Sequence, residues 1–162
     1  MSKKFRLCAG CVVFNKKGLL LLCNRIDSST DAWQFPQGGI EKKEKPVEAA
    51  QRELFEETGI TSVNLVHVDE KPLRYEFTDD IKQSFQKRGI FVDGQDIYFA
   101  LFFFTGSESE INLQIAKPEF KAYTWNTFDF AINNVISFKK DVYSSIANRF
   151  TPLIKEYLKN RS

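Results

Sequence analysis

Hydrophobic positions along the chain fall into short runs that predict β-strands, separated by polar and glycine-containing segments. Phe5–Phe14 is the first run, a turn is predicted at Asn15–Gly18, and Leu19–Asn24 is the returning strand. After a polar loop at Asp27–Ala32, Trp33–Phe35 is short and is held extended by the proline that follows it. Further strands are predicted at Val63–Val68, Leu73–Phe77, Ile97–Thr105 and Ala122–Trp125.

Helical spacing of apolar residues predicts fewer elements. Pro46–Thr58 is predicted as a helix, because proline is tolerated in a first helical turn and Gly59 can end the last one. Phe138–Phe150 is predicted as a second helix, and the proline at the start of 152–160 is expected to begin a separate final helix. The polar stretch 78–94 is ambiguous and is expected to be partly helical. Strands interleaved with helices indicate one α/β domain over the whole chain, residues 1–162.

Composition constrains the function weakly. Hydrophobic residues make up 43% of the 162 positions and charged residues 27%, which is ordinary for a globular protein and argues against disorder. The net charge of +2 does not by itself indicate a nucleic-acid-binding protein. No apolar stretch approaches the ~20 residues needed to cross a bilayer, so no membrane association is expected. Nothing in the sequence indicates an obligate protein partner.

The cysteines favour a reducing compartment. Cys8, Cys11 and Cys23 are odd in number, and the N-terminal residues lack the apolar region of a secretory signal, so the expected location is cytoplasmic. Cys8 and Cys11 have the spacing of half a zinc site. They fall in a predicted strand, however, where positions three apart point to opposite faces. A zinc site is therefore not expected.

The helix predicted at 46–58 concentrates three glutamates that have no basic residue four positions further along. Its apolar side is predicted to comprise Val47, Ala50, Leu54 and Phe55. The opposite side carries Glu53, Glu56 and Glu57, beside the small Ala49. Each close pair of carboxylates costs roughly 0.2–0.5 kcal/mol, and acidic residues late in a helix oppose its dipole. A divalent cation such as Mg²⁺, which prefers carboxylate oxygen, would relieve both effects.

A glycine-rich segment precedes this helix. Gln37-Gly38-Gly39 provides backbone without side-chain bulk, which can approach phosphate oxygens closely. Mg²⁺ that also binds a phosphate needs few protein ligands, and these are typically acidic. Together the glutamates and glycines favour a site for a metal and a phosphate over the alternative, an ordinary solvated helix face.

The same segment matches a known motif. Residues 38–60 read Gly38-x5-Glu44-x7-Arg52-Glu53-Leu54-x-Glu56-Glu57-x-Gly59-Ile60. They resemble the Nudix box at every defined position. The preceding "WQFPQGGI" and the later "LRYEF", "GQ", "FTG", "EIN", "PEF" and "SFKKDVY" are similar, in the same order, to a branch of that family. This branch contains bacterial RNA pyrophosphohydrolases and plant-type diadenosine tetraphosphate (Ap4A) hydrolases. The resemblance implies an α/β/α sandwich around a mixed β-sheet, with the box over the active site.

The resemblance also implies a metal site. Glu53, Glu56 and Glu57 correspond to ligands of Mg²⁺, and Mn²⁺ is an alternative because both ions prefer octahedral oxygen donors. Glu119, in the "PEF" motif, corresponds to a further ligand from another loop. Gly38 would contribute its backbone carbonyl to the metal.

Other matched positions would support the loop or bind the substrate. Arg52 would steady the helix carboxylates and Glu44 would brace the loop, while Gly39 and Gly59 would be structural. Positions that contact phosphates or stack on a base correspond here to Arg6, Arg25, Tyr75, Gln95, Phe138 and Lys139.

Two departures from the branch pattern concern the substrate. The branch usually continues from its Gly-Gln into Gln-Lys-Trp-Phe, whereas Tyr98 stands here where the common lysine falls. The chain begins "KKFRLCAG" where the branch favours Tyr-Arg-x-Asn-Val-Gly, although the arginine is kept as Arg6. Both differences bear on substrate choice and leave the expected chemistry unchanged.

The implied reaction is Mg²⁺-dependent hydrolysis of a phosphoanhydride. A water activated at the metal would attack phosphorus in line, and Glu56 or Glu57 would accept its proton. Two substrates are open: a dinucleoside tetraphosphate split into ATP and AMP, and the 5′-triphosphate end of RNA, which would release pyrophosphate. A third hypothesis is a catalytically inactive module that binds nucleotides or RNA ends, although such modules typically lose box glutamates that are present here. His67, the single histidine, is interpreted as structural.

Overall fold

A computed structural model describes residues 2–26, 31–115 and 118–161. In these ranges, eight strands form one mixed sheet and four α-helices pack around it. The strands are β1 (Phe5–Phe14), β2 (Leu20–Arg25), β3 (Trp33–Gln34), β4 (Gln37–Gly39), β5 (Val63–Val68), β6 (Leu73–Glu76), β7 (Gly94–Phe104) and β8 (Phe120–Asn126). The helices are α1 (Pro46–Thr58), α2 (Asp79–Lys87), α3 (Phe128–Asn134) and α4 (Lys140–Arg161).

The sheet is built around β1 and β7. These two strands are parallel and pair from Phe5 with Gly94 to Phe14 with Phe103. The main order across the sheet is β3-β2-β1-β7-β5, and every pairing other than β1 with β7 is antiparallel. Strand β4 pairs with residues 8–10 in the middle of β1, β6 pairs with β7, and β8 pairs with β2. Strand β1 is therefore central, and β4 lies directly beside it.

Two hydrophobic cores lie on opposite faces of this sheet. On one face, which we call the α1 face, Ala50 and Leu54 of α1 pack with Phe102 of β7. On the other, the α4 face, Phe150 of α4 packs with Phe99 of β7, and residues of α2 and α3 join the same core. Helices cover both sides of a mixed sheet, which confirms the predicted α/β/α sandwich.

The cysteines of β1 follow the alternation of a strand. Cys8 belongs to the core on the α4 face and Cys11 to the core on the α1 face, so the two thiols point apart as predicted. Cys8, Cys11 and Cys23 are free, buried thiols. Burial raises the pKa of Cys8 to about 11, which keeps this thiol protonated at neutral pH.

Most predicted strands are confirmed, with shifted ends. The first strand agrees with β1 at both ends, and the helix predicted at Pro46–Thr58 agrees with α1. Strand β7 starts three residues before the predicted Ile97, and β8 extends beyond Ala122–Trp125 at both ends. The expected partial helix in 78–94 is α2. Most of the loop predicted at Asp27–Ala32 lies outside the described residues.

One prediction about the C-terminal third was wrong, and one helix there was missed. A break was expected at Pro152, but α4 continues through it as one helix. Ile146, Phe150 and Ile154 are buried on one side of α4, and burying such side chains at roughly 1.5–3 kcal/mol each outweighs the ~3 kcal/mol cost of an internal proline. Helix α3 was not predicted, although Thr127 caps it by accepting a hydrogen bond from the Phe130 N–H at 3.1 Å.

No helix in the described part of the chain is both long and apolar enough to cross a bilayer.

Candidate active site

Helix α1 begins and ends where its local sequence dictates. Pro46 occupies the first turn, and the Glu48 side chain accepts a hydrogen bond from the Lys45 N–H at 2.8 Å. At the other end, Gly59 has a left-handed φ of 77° and its N–H donates to the carbonyl of Phe55 at 2.8 Å. Glycine adopts this conformation without strain, so α1 stops there as predicted.

The glutamates of α1 differ in their exposure. Glu57 is 4% exposed and the side chain of Glu53 is 14% exposed, whereas the side chain of Glu56 is 45% exposed. Phe55, expected on the apolar side, is 43% exposed, and Ala49, expected to leave room beside the glutamates, is fully buried. The predicted apolar side is confirmed for Val47, Ala50 and Leu54, which pack in the core on the α1 face, and was wrong for Phe55.

The glycine strand β4 was indicated as a loop by the sequence. Its residues pair with β1, with Gly38 opposite Ala9 and Gly39 opposite Cys8. A Cβ atom on Gly38 would lie 2.1 Å from the carboxyl carbon of Glu53. Glycine at position 38 thus allows a carboxylate of α1 to lie directly against the backbone of β4.

Arg52 connects α1 to the loop before it and to β4. Its Nε and Nη2 donate to the two carboxylate oxygens of Glu44 at 2.7 and 2.9 Å. Its Nη1 lies 2.8 Å from Glu53 and 3.4 Å from Glu56, and Nη2 also donates to the carbonyl of Gly39 at 2.8 Å. The hydrogen bonds from Arg52 lower the pKa of Glu44 and keep it ionised.

The buried carboxylates repel one another. Burial raises the pKa of Glu57 well above its usual range, and the charges of Glu119 and Glu53 raise it further. Burial also raises the pKa of Glu53, against the opposing effect of Arg52. Glu119 lies 3.6 Å from the Arg25 guanidinium. The region therefore concentrates more negative charge than its arginines neutralise.

The chemistry of these donors fits a divalent cation. Buried carboxylate oxygens with raised pKa values, next to a glycine that leaves space beside Glu53, suit an ion that prefers oxygen. Among the described residues, no three Asp, Glu, His or Cys side chains are already grouped closely enough to hold a metal. Glu53 and Glu56 contact Arg52, and Glu119 contacts Arg25. An ion would have to compete with these arginines for the carboxylates.

A second polar cluster lies on the α4 face, behind β4. The Tyr75 hydroxyl donates to Oε1 of Gln95, and the Gln37 amide donates to that oxygen at 3.2 Å. The Nζ of Lys139 lies 5.4 Å from the centre of the Tyr75 ring, and the Phe138 ring lies 5.4 Å from it. We call Gln37, Tyr75, Gln95, Phe138 and Lys139 the polar pocket.

Lys139 is a buried cation in this pocket. Burial lowers its pKa to about 8, and the nearby charge of Arg25 acts in the same direction. Arg6 lies on β1 opposite Gln95, and a Cβ atom on Gly39 would lie 2.5 Å from its guanidinium. Basic groups from β1 and from the turn before α4 therefore approach β4 from the side opposite to the glutamates.

The structure thus brings most of the predicted site residues together around β4. The carboxylates, Arg52 and Glu44 lie on its α1 side, and Arg6, Tyr75, Gln95, Phe138 and Lys139 lie on its α4 side. Tyr98 pairs with Ala9 in β7, where strand alternation directs it to the α1 face. His67 lies elsewhere, 3.5 Å from Asp69, which forms an ion pair with Arg149. These contacts are compatible with the structural interpretation of His67.

The side chain of Gln37 was missed from the sequence. It was considered only as backbone next to two glycines, yet its amide lies inside the polar pocket. The available signal was the proline-bounded strand pattern of "FPQGGI", in which alternation directs residues 37 and 39 to the face opposite residue 38.

Comparison with known proteins shows the family to which the chain belongs. The model of the NUDIX domain matches residues 4–146. An RNA pyrophosphohydrolase of Roseobacter denitrificans is 36% identical over 148 residues, which cover 90% of this chain and 91% of the relative. An RNA pyrophosphohydrolase of Azorhizobium caulinodans is 38% identical over 156 residues and covers 90% and 92% of the two chains.

Solved structures agree with the fold. An Ap4A hydrolase binary complex from C. elegans superposes with a TM-score of 0.64 at 18% identity, covering 91% of this chain and 98% of that one. The E. coli dihydroneopterin triphosphate pyrophosphohydrolase superposes with a TM-score of 0.66 at 17% identity, covering 92% and 99%. The fold is shared with these hydrolases. The chain belongs to the NUDIX domain family, whose members generally require a divalent metal.

Proposed function

We propose that this Nudix hydrolase removes pyrophosphate from the 5′-triphosphate end of RNA in a reaction that requires Mg²⁺. The observation that carries the proposal is the placement of buried carboxylates on one side of β4 and of the polar pocket with Lys139 on the other. RNA is preferred over a dinucleoside tetraphosphate because relatives that are 32–38% identical over nearly their full length are RNA pyrophosphohydrolases. A cytoplasmic location fits this substrate.

In this proposal the metal is held by Glu53, Glu56 and Glu57 of α1, with Glu119 and the carbonyl of Gly38 as further donors. Bound Mg²⁺ neutralises phosphate charge and lowers the pKa of water. Arg52 keeps the helix carboxylates in place through its contacts with Glu44 and Glu53, so that they remain close to β4.

The proton of the attacking water passes to Glu56 or Glu57. Glu56 is the most exposed of the three helix glutamates, which gives it access to solvent water. Glu57 is buried with a raised pKa, which makes it a stronger base than an ordinary glutamate when it is ionised. The new bond joins the water oxygen to phosphorus, and the phosphoanhydride bond breaks to release pyrophosphate.

The cationic side of the site binds the phosphates and the first base. Lys139 and Arg6 lie behind β4, and Arg25 lies next to Glu119. These three cations supply charge opposite the oxygens on which negative charge develops. Phe138 is half-buried, with one side against Tyr75, and can stack on a base with the other.

The test compares the two substrates directly. Pure protein with Mg²⁺ is incubated with 5′-triphosphate RNA or with Ap4A, and the products are resolved by chromatography. The proposal expects a higher kcat/KM for 5′-triphosphate RNA, which gives monophosphate RNA and pyrophosphate, than for Ap4A, which gives ATP and AMP. Faster cleavage of Ap4A would assign the enzyme to dinucleoside polyphosphates, and cleavage of neither would contradict the proposed function.

A pair of variants separates an enzyme from a binding module. Glu56→Gln is expected to lose hydrolysis by orders of magnitude while remaining folded, whereas Glu156→Gln, an exposed position on α4, retains full activity. Equal rates for Glu56→Gln and the wild type would mean that the helix carboxylates do not hold a catalytic metal.

A further inference from the structure

Gln37 has contacts on both sides of β4. Its backbone N–H donates to Oε2 of Glu57 at 3.2 Å, on the side of the carboxylates. Its side-chain Nε2 donates to Oε1 of Gln95 at 3.2 Å and to the Tyr75 hydroxyl at 3.4 Å, on the side of the polar pocket. A single residue therefore contacts a glutamate of α1 and two residues proposed to bind the substrate.

The side-chain oxygen of Gln37 is buried and has no hydrogen-bond partner in the described part of the chain. An unsatisfied buried acceptor costs about 1–3 kcal/mol. A methionine of similar length would fill the same space without this cost, so stability alone does not explain a glutamine here. The contacts made by the amide nitrogen are the remaining reason for the glutamine.

Strand β4 carries three contacts that define the geometry of the carboxylates. The backbone N–H of Gln37 binds Glu57, the bare face of Gly38 lies against Glu53, and the carbonyl of Gly39 accepts a hydrogen bond from Arg52 at 2.8 Å. Because these groups belong to consecutive residues, a small shift of β4 displaces all three contacts together.

We propose that Gln37 is a positioning residue that links substrate binding in the polar pocket to the placement of the α1 carboxylates. This inference rests on the proposed function. A nucleotide triphosphate end bound against Tyr75 and Gln95 fixes the Gln37 amide, the amide fixes β4, and β4 holds Glu57. Binding energy from the α4 face is thereby used to orient a carboxylate on the α1 face.

The kinetic test uses Gln37→Met, which keeps the backbone N–H and the side-chain length but removes the amide. The expected result is a loss of about tenfold or more in kcat with a smaller change in KM, because the carboxylates are misplaced while the phosphate-binding cations remain. The matched control is Gln51→Met, an exposed residue of α1, which retains the wild-type rate. A Gln37→Met rate within twofold of the wild type would overturn the proposal.

A double-mutant cycle tests whether Gln37 acts through Tyr75. Tyr75→Phe removes the hydroxyl that Gln37 contacts. If the two residues act as one unit, Gln37→Met combined with Tyr75→Phe is no slower than the more damaged single variant. If the rate of the double variant instead falls by the product of the two single losses, the residues act independently and the proposal is contradicted.

Calorimetric titration with Mg²⁺ alone gives a readout that does not depend on turnover. Gln37→Met is expected to weaken Mg²⁺ binding about threefold or more, and Gln51→Met to leave it unchanged, because the first variant loosens the strand against which Glu53 and Glu57 lie. Equal Mg²⁺ affinities in the wild type and both variants would overturn the positioning role. If the wild type hydrolyses neither substrate, the proposed function fails, while this titration still decides the role of Gln37.

Discussion

The guanidinium of Arg52 donates two hydrogen bonds to the carboxylate of Glu44, at 2.7 and 2.9 Å. This bidentate pair joins the loop before α1 to the middle of the helix. The same guanidinium contacts Glu53 and the carbonyl of Gly39. One side chain therefore fixes the distance between the helix carboxylates and the glycine strand.

Replacing Arg52 with lysine should break this arrangement. An ammonium group is a point charge that cannot make the forked contact with Glu44 and reach Gly39 as well. Arg52→Lys is expected to lower kcat about tenfold or more and to reduce the melting temperature by several degrees. Arg74→Lys is the matched control, since Arg74 makes a similar bidentate pair with Asp96 on the surface. If both variants behave alike in steady-state kinetics and thermal unfolding, Arg52 has no special role.

A methyl group at position 38 should disturb the site sterically. In Gly38→Ala the new Cβ would lie 2.1 Å from the carboxyl carbon of Glu53 and would push that carboxylate off β4. Activity is expected to fall about tenfold or more. Gly89→Ala provides the contrast, because a Cβ there meets no atom within 4 Å but the residue has a φ of 79°. That variant should lose about 1 kcal/mol of stability and keep its kcat. If Gly89→Ala lost activity while Gly38→Ala kept it, the proposed steric role of position 38 would be contradicted.

The lowered pKa of Lys139 predicts that kcat/KM falls at alkaline pH. Burial and Arg25 lower its pKa to about 8, so the ammonium group of the free enzyme loses its proton as the pH rises through that value. The kcat/KM should therefore decline above about pH 8, whereas kcat should decline at a higher pH because bound phosphate favours the ammonium form. Lys139→Met should lack this decline, and the exposed Lys140→Met should keep it. An unchanged profile in Lys139→Met would exclude Lys139 as the titrating group.

The same depressed pKa has a consequence for folding. The unfolded chain keeps its proton on Lys139 up to about pH 10.5, while the folded protein releases it at about pH 8. The contribution of this lysine to the free energy of unfolding therefore rises between these two pH values.

Glu57 makes the opposite contribution to stability in the absence of metal. Its pKa is raised in the folded protein, so the folded state retains the proton to higher pH than the unfolded chain does. The free energy of unfolding should therefore fall as the pH rises from 4.5 through the folded pKa. Glu57→Gln removes this penalty and is expected to melt a few degrees above the wild type at pH 7.5 in a chelator, with the difference shrinking towards pH 4.5. Glu156→Gln should match the wild type at both pH values. A Glu57→Gln protein that melts below the wild type at pH 7.5 would contradict the burial of an ionised carboxylate.

Local sequence signals were sufficient to predict the elements that carry the site. Proline at the start and glycine at the end of α1 determine its limits, and the hydrophobic run of β1 determines that strand. Tertiary contacts decided the rest. Burial of Phe150 and Ile154 carries α4 through Pro152, and pairing with β1 turns the glycine segment into a strand.

The candidate site was predicted in its residue types and less well in its geometry. Spacing placed the three glutamates of α1 together and favoured a metal site, but helical periodicity contains no information about what the helix packs against. Glu53 lies against the bare face of Gly38, and the buried Glu57 accepts a hydrogen bond from the backbone N–H of Gln37. The role of Gln37 depends on pairing between strands distant in sequence, which a motif of local spacings cannot show.

The central claim is that the α1 carboxylates hold a divalent ion that also binds a polyphosphate. A crystal structure of the protein with Mn²⁺, located by its anomalous signal, and a non-hydrolysable nucleoside triphosphate tests this claim most directly. We expect the ion to contact Glu53, Glu56 or Glu57 together with a phosphate oxygen, and the base to lie against Phe138. An ion bound elsewhere, with the glutamates still paired to Arg52 and no phosphate near β4, would contradict the account.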